Sequence, residues 1–181
     1  FDPDAAVTGE EDGEVQDLLA EFGLPVIHAQ TVEFMLVNLL TWSAVRDKRE
    51  LGSGTVREMM DTRYSQTMGK LVRDALVGVD LAEQEQRLIR RALQARNWLA
   101  HNYFRTYGPA AFDAGMRREA IQVARRAREL FETTQDTLHA RLSIVLEGIG
   151  ISQDEAEAGA DEAIARAIEG KAAAPDWVNS E

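Results

Sequence analysis

The chain has 181 residues, a mass of 20.1 kDa and a formal net charge of −11, a size that fits one domain with or without tails. Hydrophobic residues make up 45% and charged residues 28%, which excludes a wholly disordered chain. Cysteine is absent, which excludes a disulfide framework, an iron–sulfur cluster and a thiol nucleophile, and we expect a reducing, cytoplasmic compartment. Polar residues interrupt the longest apolar segment, residues 26–45, so we expect no membrane span.

The charges are unevenly distributed along the chain. Residues 1–25 hold eight acidic residues and no Lys or Arg, and residues 147–181 hold nine acidic residues against two basic ones. Residues 86–128, in contrast, hold ten Arg and two acidic residues. Such a segment is most often a solvated helix face. Because guanidinium forms a planar fork that matches phosphate and carboxylate, a surface that binds such groups is the alternative.

The first elements in chain order are an acidic tail, a short helix and a longer apolar helix. Residues 1–13 contain Gly and Pro without apolar periodicity, so we expect a mobile tail. A short helix is predicted over residues 14–22. Gly23 and Pro25 should then break the chain, with Pro25 in the first turn of a helix over residues 26–45. Apolar side chains cover most of that helix, which predicts a central, largely buried element.

The rest of the chain is predicted to form further helices, over residues 55–61, 67–79, 81–104, 111–147 and 153–169. Ser65 or Thr67, and then Asp80, are expected to be N-caps, because short polar side chains accept hydrogen bonds from the first turn of a helix. The TYGP segment at residues 106–109 predicts a chain break before the longest helix.

These elements define an all-α fold. Apolar positions of the longest helix recur at alternating intervals of four and three residues from Met116 to Thr134, which is typical of a coiled-coil-like seam. No segment shows strong strand-like alternation between hairpin turns. We therefore expect a bundle of four or more helices, with two long helices packed antiparallel. The expected organisation is a flexible tail over residues 1–13, the bundle over residues 14–150 and an acidic helix and tail over residues 151–181.

The segment ARNWLAHNYF at residues 95–104 carries the side chains best suited to catalysis. It contains Arg96, Asn97, His101 and Tyr103. Imidazole titrates near pH 6.5 and serves as a general base or acid, and guanidinium stays charged and binds phosphate. A proton-transfer group and a phosphate-binding cation are the groups that phosphoryl transfer without a metal needs.

Helix geometry limits how Arg96 and His101 share a site. At 100° per residue they lie about 140° apart around the axis and about 7.5 Å apart along it. Asn97 and His101, four residues apart, share one face. A single site therefore requires either that the long Arg96 side chain reaches around the helix or that two copies of the helix meet across a two-fold axis. An ordinary surface or structural role for His101 is the alternative.

Glu33 is a carboxylate within the apolar helix predicted over residues 26–45. A buried charge needs a partner, and the first choice is Arg96 on the helix predicted over residues 81–104. Exposure of Glu33 to solvent is the alternative.

The ARNWLAHNYF segment resembles the signature of the HEPN superfamily of small helical proteins, in which an Arg, often followed by Asn, precedes a His by four to six residues. Its His-x-Tyr ending resembles the variant found in HepT-type toxins of nucleotidyltransferase-paired toxin–antitoxin systems. A looser resemblance includes AQTVEFMLVNLL at residues 29–40 and TMGKLV at residues 67–72, so that the likeness covers roughly residues 24–140.

This resemblance implies a metal-independent endoribonuclease or toxin-like RNA-processing protein without a cofactor. It implies catalytic roles for Arg96, Asn97 and His101, with His101 as general base or acid and Arg96 as the clamp on the phosphoryl oxygens. Tyr103, Arg91 and Arg105 are the candidate substrate contacts, the two Arg being taken from the Arg-rich segment. The implied partners are RNA, a second copy of the chain, and an antitoxin or nucleotidyltransferase.

Two other classes of function stay open. HEPN-like proteins include non-catalytic members, which implies a helical module that binds a nucleotide or a protein partner, and the acidic ends favour this alternative because they repel RNA. The third class is a purely structural helical interaction domain in which the Arg-x4-His spacing is a coincidence. His28 and His139 have no metal-ligand spacing, so we expect no metal site.

Overall fold

A computed structural model describes residues 9–47, 56–152 and 154–155 of the chain. Over these residues the structure is all-α and has no strand, which confirms the predicted fold class. The helices are α1 (Gly9–Arg46), α2 (Val56–Tyr64), α3 (Met68–Gly78), α4 (Glu83–His101), α5 (Tyr103–Tyr107) and α6 (Ala114–Glu147), with a 3₁₀ turn at Gly108–Ala111. The helix predicted over residues 153–169 lies outside the described residues, apart from 154 and 155, which are helical.

The longest helix, α1, runs from Gly9 to Arg46 without interruption, so the predicted chain break at Pro25 is wrong. The helix also includes residues 9–13, which the sequence placed in the tail. Pro25 lies inside the helix and is fully buried. An interior proline removes one backbone hydrogen bond and costs about 3 kcal/mol. The apolar side chains that α1 buries on both sides of Pro25 offset this cost, since each contributes about 1.5–3 kcal/mol.

Helices α1 and α6 pack side by side and run in the same direction. Three polar contacts join them, between Glu14 and Arg117, Glu21 and Arg125, and His28 and Gln135. Because the two residue numbers rise together from one contact to the next, the helices are parallel. The connection between them must therefore return along the length of the bundle.

Each of these two helices buries a residue at every seventh position. The positions are Leu18, Pro25, Val32 and Leu39 on α1 and Arg117, Ala124, Phe131, Leu138 and Val145 on α6. A seven-residue period on two neighbouring helices is that of a coiled-coil seam. The seam predicted from the sequence overlaps this one in part. Its residues Ala120 and Thr134 are buried, whereas Met116, Val123 and Leu130 are half-buried.

Helix α4 runs antiparallel to α6. Its first turn contacts the end of α6 through Glu85 and Arg141, whose side chains form two hydrogen bonds of 2.6 Å. Just beyond its last residue, Tyr103 donates a hydrogen bond to the carbonyl of Ala120 near the start of α6. Thus α4 and α6 form a long antiparallel pair, and α1 adds to it in parallel with α6.

The helix starts confirm one predicted cap and correct another. Thr67, one of two predicted alternatives, caps α3. Helix α4 begins at Glu83, so the prediction that Asp80 caps it is wrong. The Glu85 carboxylate instead accepts a hydrogen bond of 2.6 Å from the backbone N–H of Ala82. This carboxylate therefore stabilises the first turn of α4 and also contacts α6.

By length and composition alone, residues Gly13–Arg46 of α1 are apolar enough to cross a membrane, with a mean hydropathy of 1.2 over 18 residues. This differs from the expectation of no membrane span, which rested on the polar residues that interrupt residues 26–45. Because α1 also supplies much of the hydrophobic core, the property is only a weak indication of a membrane span.

Candidate functional site

Arg96, one of the predicted site residues of α4, lines a groove that α4 forms with α1. The groove has a volume of about 300 Å³. Its lining includes the apolar residues Phe22, Val26 and Leu99 and the polar residues Gln30, Glu33 and Arg96. A mostly apolar wall with a few convergent polar groups is typical of a ligand site.

Arg96 lines this groove and forms the ion pair with Glu33 that the sequence suggested. Its Nε lies 3.2 Å from Oε1 of Glu33, and its side chain is 39% exposed. Its Nη1 donates a hydrogen bond of 3.4 Å to Oδ1 of Asn97. Since guanidinium has five N–H donors, these contacts orient it and leave terminal donors for an anion. Glu33 also offsets part of the positive charge that Arg96 presents.

His101 is the last residue of α4 and is exposed, as is Asn97 one turn earlier. Together with Arg90 and Gln94 they form an exposed stripe at intervals of four, three and four residues. In the part of the chain that the structure describes, His101 has no hydrogen-bond or ion-pair partner. The structure therefore brings Arg96, Asn97 and Glu33 into contact and leaves the His101 side chain outside the groove lining.

Tyr103 occupies the core rather than an open site. Its side chain is fully buried, and its hydroxyl donates a hydrogen bond of 3.1 Å to the carbonyl of Ala120. Burial raises the pKa of Tyr103 to about 12. The rings of Phe22, Trp98 and Tyr107 pack around it. In this conformation Tyr103 cannot make the substrate contact that the resemblance implied.

Half of the ten Arg residues in segment 86–128 are paired with acidic residues. The ion pairs are Arg87–Glu83, Arg96–Glu33, Arg117–Glu14, Arg125–Glu21 and Arg128–Glu132. The exposed Arg without an ion pair to any described residue are Arg90, Arg91, Arg105, Arg118 and Arg126. The positive excess is therefore smaller in the fold than in the sequence, although the candidate substrate contacts Arg91 and Arg105 remain accessible.

Two aromatic residues, one in the groove lining and one beside it, were not among the predicted site residues. Phe22 lines the groove, and Phe104 packs on it with ring centroids 4.5 Å apart and is 47% exposed. Phe22 was not predicted as a site residue because the predicted break at Pro25 placed it on a separate helix. A continuous helix places Phe22, Val26 and Glu33 on one face, at intervals of four and seven residues, and this spacing was the available signal.

No three His, Asp or Glu side chains of the described ranges cluster in a way that could hold a metal ion. The chain matches no protein-family model, no curated protein and no solved structure. Its function must therefore be inferred from its residues and their geometry.

Proposed function

We propose that this chain is a HEPN-like endoribonuclease or toxin-like RNA-processing protein that cleaves RNA without a metal ion. The observation that carries the proposal is the arrangement around Arg96. Glu33 holds its Nε, its terminal nitrogens remain available in an open groove, and Asn97 contacts it. His101 is exposed five residues further along the same helix. Both groups that the chemistry needs are thus accessible to a substrate.

In the proposed reaction the 2′-hydroxyl of RNA attacks the adjacent phosphorus. The 2′-oxygen loses its proton, the bond from phosphorus to the 5′-oxygen breaks, and the 5′-oxygen takes up a proton. The products are a 2′,3′-cyclic phosphate and a 5′-hydroxyl. His101 is the general base or acid, and Arg96, oriented by Asn97, stabilises the charge on the phosphoryl oxygens. Arg91 and Arg105 bind backbone phosphates.

We propose further that a homodimer completes the site. Arg96 and His101 lie about 140° apart around α4, so a second copy offers a direct way to bring both to one phosphate. Helix α1 also carries an exposed apolar stripe, formed by Leu19, Ile27 and Phe34, at intervals of eight and seven residues. An exposed apolar stripe is typical of an interface between protein chains.

The test of the ribonuclease is cleavage of a 5′-labelled single-stranded RNA by the purified protein in EDTA. We expect a cyclic phosphate product, and an RNA with a 2′-deoxy nucleotide at the scissile position should bind without being cut. General acid–base catalysis contributes about 10²–10⁴-fold, so His101→Ala should lower the rate by about that factor. Arg96→Ala should also lower the rate, and Arg96→Lys, which keeps the charge but loses the fork, should be less damaging.

His139→Ala is the matched control, because His139 is exposed on α6 and does not line the groove. It should cleave like the parent protein. Circular dichroism would verify that each variant keeps its helices. If the parent cuts no RNA, or if His101→Ala cuts as fast as the parent, the ribonuclease proposal fails.

The second candidate is a non-catalytic helical module that binds a nucleotide or a protein, such as an antitoxin or a nucleotidyltransferase. The Glu33–Arg96 ion pair favours this candidate, because Glu33 offsets charge that would otherwise stabilise the transition state. The same assay separates the two candidates, since a binding module retains its ligand without cleaving RNA.

A further inference from the structure

One end of the groove between α1 and α4 is lined by Phe22, and the partly exposed Phe104 lies beside this end, outside the lining. The ring of Phe104 lies against that of Phe22, with centroids 4.5 Å apart and planes at 58°. Phe22 in turn packs on the fully buried Tyr103, with centroids 4.6 Å apart. The buried ring supports the other two, while 47% of Phe104 stays exposed. A supported aromatic ring with an exposed face is what stacking of a nucleobase requires.

The other end of the groove is polar. Glu33 lies eleven residues after Phe22 on α1, which corresponds to about 16 Å along the helix. Arg96 meets Glu33 at this end through its Nε, and its Nη2 has no partner among the residues described. Gln30 lies between the two ends on α1, and its exposed amide likewise has no hydrogen-bond partner within the described ranges. The groove and the aromatic ring beside it thus offer, from one end to the other, a stacking face, an amide and a cation.

We propose that this groove is a nucleotide subsite, in which a base stacks on Phe104, its edge hydrogen-bonds to Gln30 and the adjoining phosphate binds Arg96. The inference rests on the proposed function, because the phosphate at Arg96 is the one that is cleaved. The substrate class that follows is single-stranded RNA, since a base must leave its stack to enter the groove. Purines bind more tightly than pyrimidines, because larger rings stack more strongly.

An apolar side chain from a partner protein suits this groove less well. It would bury Gln30, Glu33 and Arg96 without supplying hydrogen bonds or charge, and burial of unsatisfied polar groups is costly. A dinucleotide covers the aromatic end with a base and presents anionic oxygens to the guanidinium at the other end. The length of about 16 Å suits a dinucleotide and exceeds that of a free base.

The test measures the affinity of a dinucleotide that cannot be cleaved, ApA with a 2′-O-methyl group, by isothermal titration calorimetry. Loss of one base–aromatic stack weakens binding by about 5- to 150-fold, so Phe104→Ala should lower the affinity by that factor and Phe104→Trp should retain it. Phe112→Ala is the matched control, because Phe112 is 94% exposed and, unlike Phe104, makes no ring contact with Phe22, and it should bind like the parent. The modified UpU should bind more weakly than ApA.

A second set of titrations tests the contact with the base and the contact with the phosphate separately. Adenosine lacks the phosphate, so Arg96→Ala should weaken binding of ApA without affecting adenosine, whereas Phe104→Ala should weaken both. If ApA does not bind the parent, or binds Phe104→Ala and Phe104→Trp as it binds the parent, the subsite is refuted even where RNA is cleaved. If ApA binds in the expected pattern but the parent cuts no RNA, the subsite stands and the ribonuclease proposal is refuted.

Discussion

Within the ARNWLAHNYF segment, polar side chains that are close in sequence have opposite environments. Arg96 is held by Glu33 yet remains accessible, whereas Tyr103 is fully buried and bonded to the carbonyl of Ala120. The cause is the helical period. Tyr103 follows the buried Leu99 by four residues, on the side opposite the exposed stripe, and its ring packs against Phe22, Trp98 and Tyr107.

Removal of the Tyr103 hydroxyl should affect stability and leave catalysis unchanged. Tyr103→Phe loses one buried hydrogen bond and keeps the ring packing, so we expect the free energy of unfolding in urea to fall by about 1 kcal/mol. RNA cleavage by the same variant should match that of the parent. Tyr107→Phe is the control for the loss of a tyrosine hydroxyl at another position, because it removes the hydroxyl that donates a hydrogen bond of 3.0 Å to Glu119. If Tyr103→Phe is as stable as the parent but no longer cleaves RNA, the Tyr103 hydroxyl contacts the substrate and the prediction is wrong.

At the level of elements, two ion pairs hold α4 in position, one to each of its long neighbours. At its start, Glu85 accepts hydrogen bonds from Arg141 of α6 and from the N–H of Ala82. The hydrogen bonds from Arg141 lower the pKa of Glu85 against the opposing effect of burial, and they raise the pKa of Arg141. Further along, Glu33 of α1 pairs with Arg96. The groove therefore lies on a helix that is tied to both long neighbours.

Glu85→Gln should destabilise the bundle in a pH-dependent way. At pH 7 the loss of the bidentate pair should lower the free energy of unfolding by about 1–2 kcal/mol, while the amide can still accept the Ala82 hydrogen bond. Because the pKa of Glu85 is lower in the folded chain than in the unfolded chain, its contribution is complete above about pH 4.5 and is lost as the pH falls through the folded-state value. Urea unfolding at pH 7, 5 and 3.5 should therefore show parent and variant converging in acid.

Glu83→Gln is the matched control for this effect. Glu83 lies in the same turn of α4, but its side chain is 83% exposed and pairs with Arg87 on the surface. Exposed pairs contribute at most about 1 kcal/mol, so this variant should stay close to the parent at each pH. A difference between Glu85→Gln and the parent that does not shrink in acid would show that the charge of Glu85 is not its cause.

Most helices could be predicted from the sequence, because periodicity and capping are local signals. The Glu33–Arg96 pair was also within reach, since a carboxylate in an apolar helix needs a partner. The prediction at Pro25 was wrong because the local preference of proline for a helix start is outweighed by the burial of apolar side chains before and after it. That burial is a tertiary effect. The parallel direction of α1 and α6 depends on the path of the chain that connects them, which no local pattern encodes.

Over the whole molecule, opposite charges are separated along the sequence but meet in the fold. The acidic N-terminal region supplies Glu14 and Glu21, which pair with Arg117 and Arg125 of α6. Arg117 is also buried and donates to the carbonyl of Ala110, so it serves the structure. Part of the Arg-rich segment is thus occupied by the chain itself, and an RNA must bind the Arg residues that remain exposed.

A charge in the apolar stripe of α1 should convert the proposed dimer into a monomer. Sedimentation of the parent should give about twice 20.1 kDa, and Ile27→Glu should give 20.1 kDa, because Ile27 is 60% exposed at the centre of the stripe. Val77→Glu is the matched control, since Val77 is 86% exposed on α3 outside the stripe, and it should remain dimeric. A monomeric parent would contradict the proposal.

Mixed dimers then show whether one site draws on both chains. If the site combines Arg96 of one protomer with His101 of its partner, co-assembly of Arg96→Ala with His101→Ala restores one intact site per heterodimer. If each site lies within a single protomer, the mixture stays inactive.

The parallel arrangement of α1 and α6 also sets the order in which the nascent chain can bury its apolar surface. Helix α1 ends at Arg46 and α6 begins at Ala114, about 70 residues later. At synthesis rates of about 5–20 residues per second, α1 is complete roughly 3–14 s before α6 starts. During that interval the seam residues Val32 and Leu39 lack α6, the helix that completes the seam. A chain stalled before α6 therefore presents α1 as a long apolar helix, which is the form that a chaperone would bind.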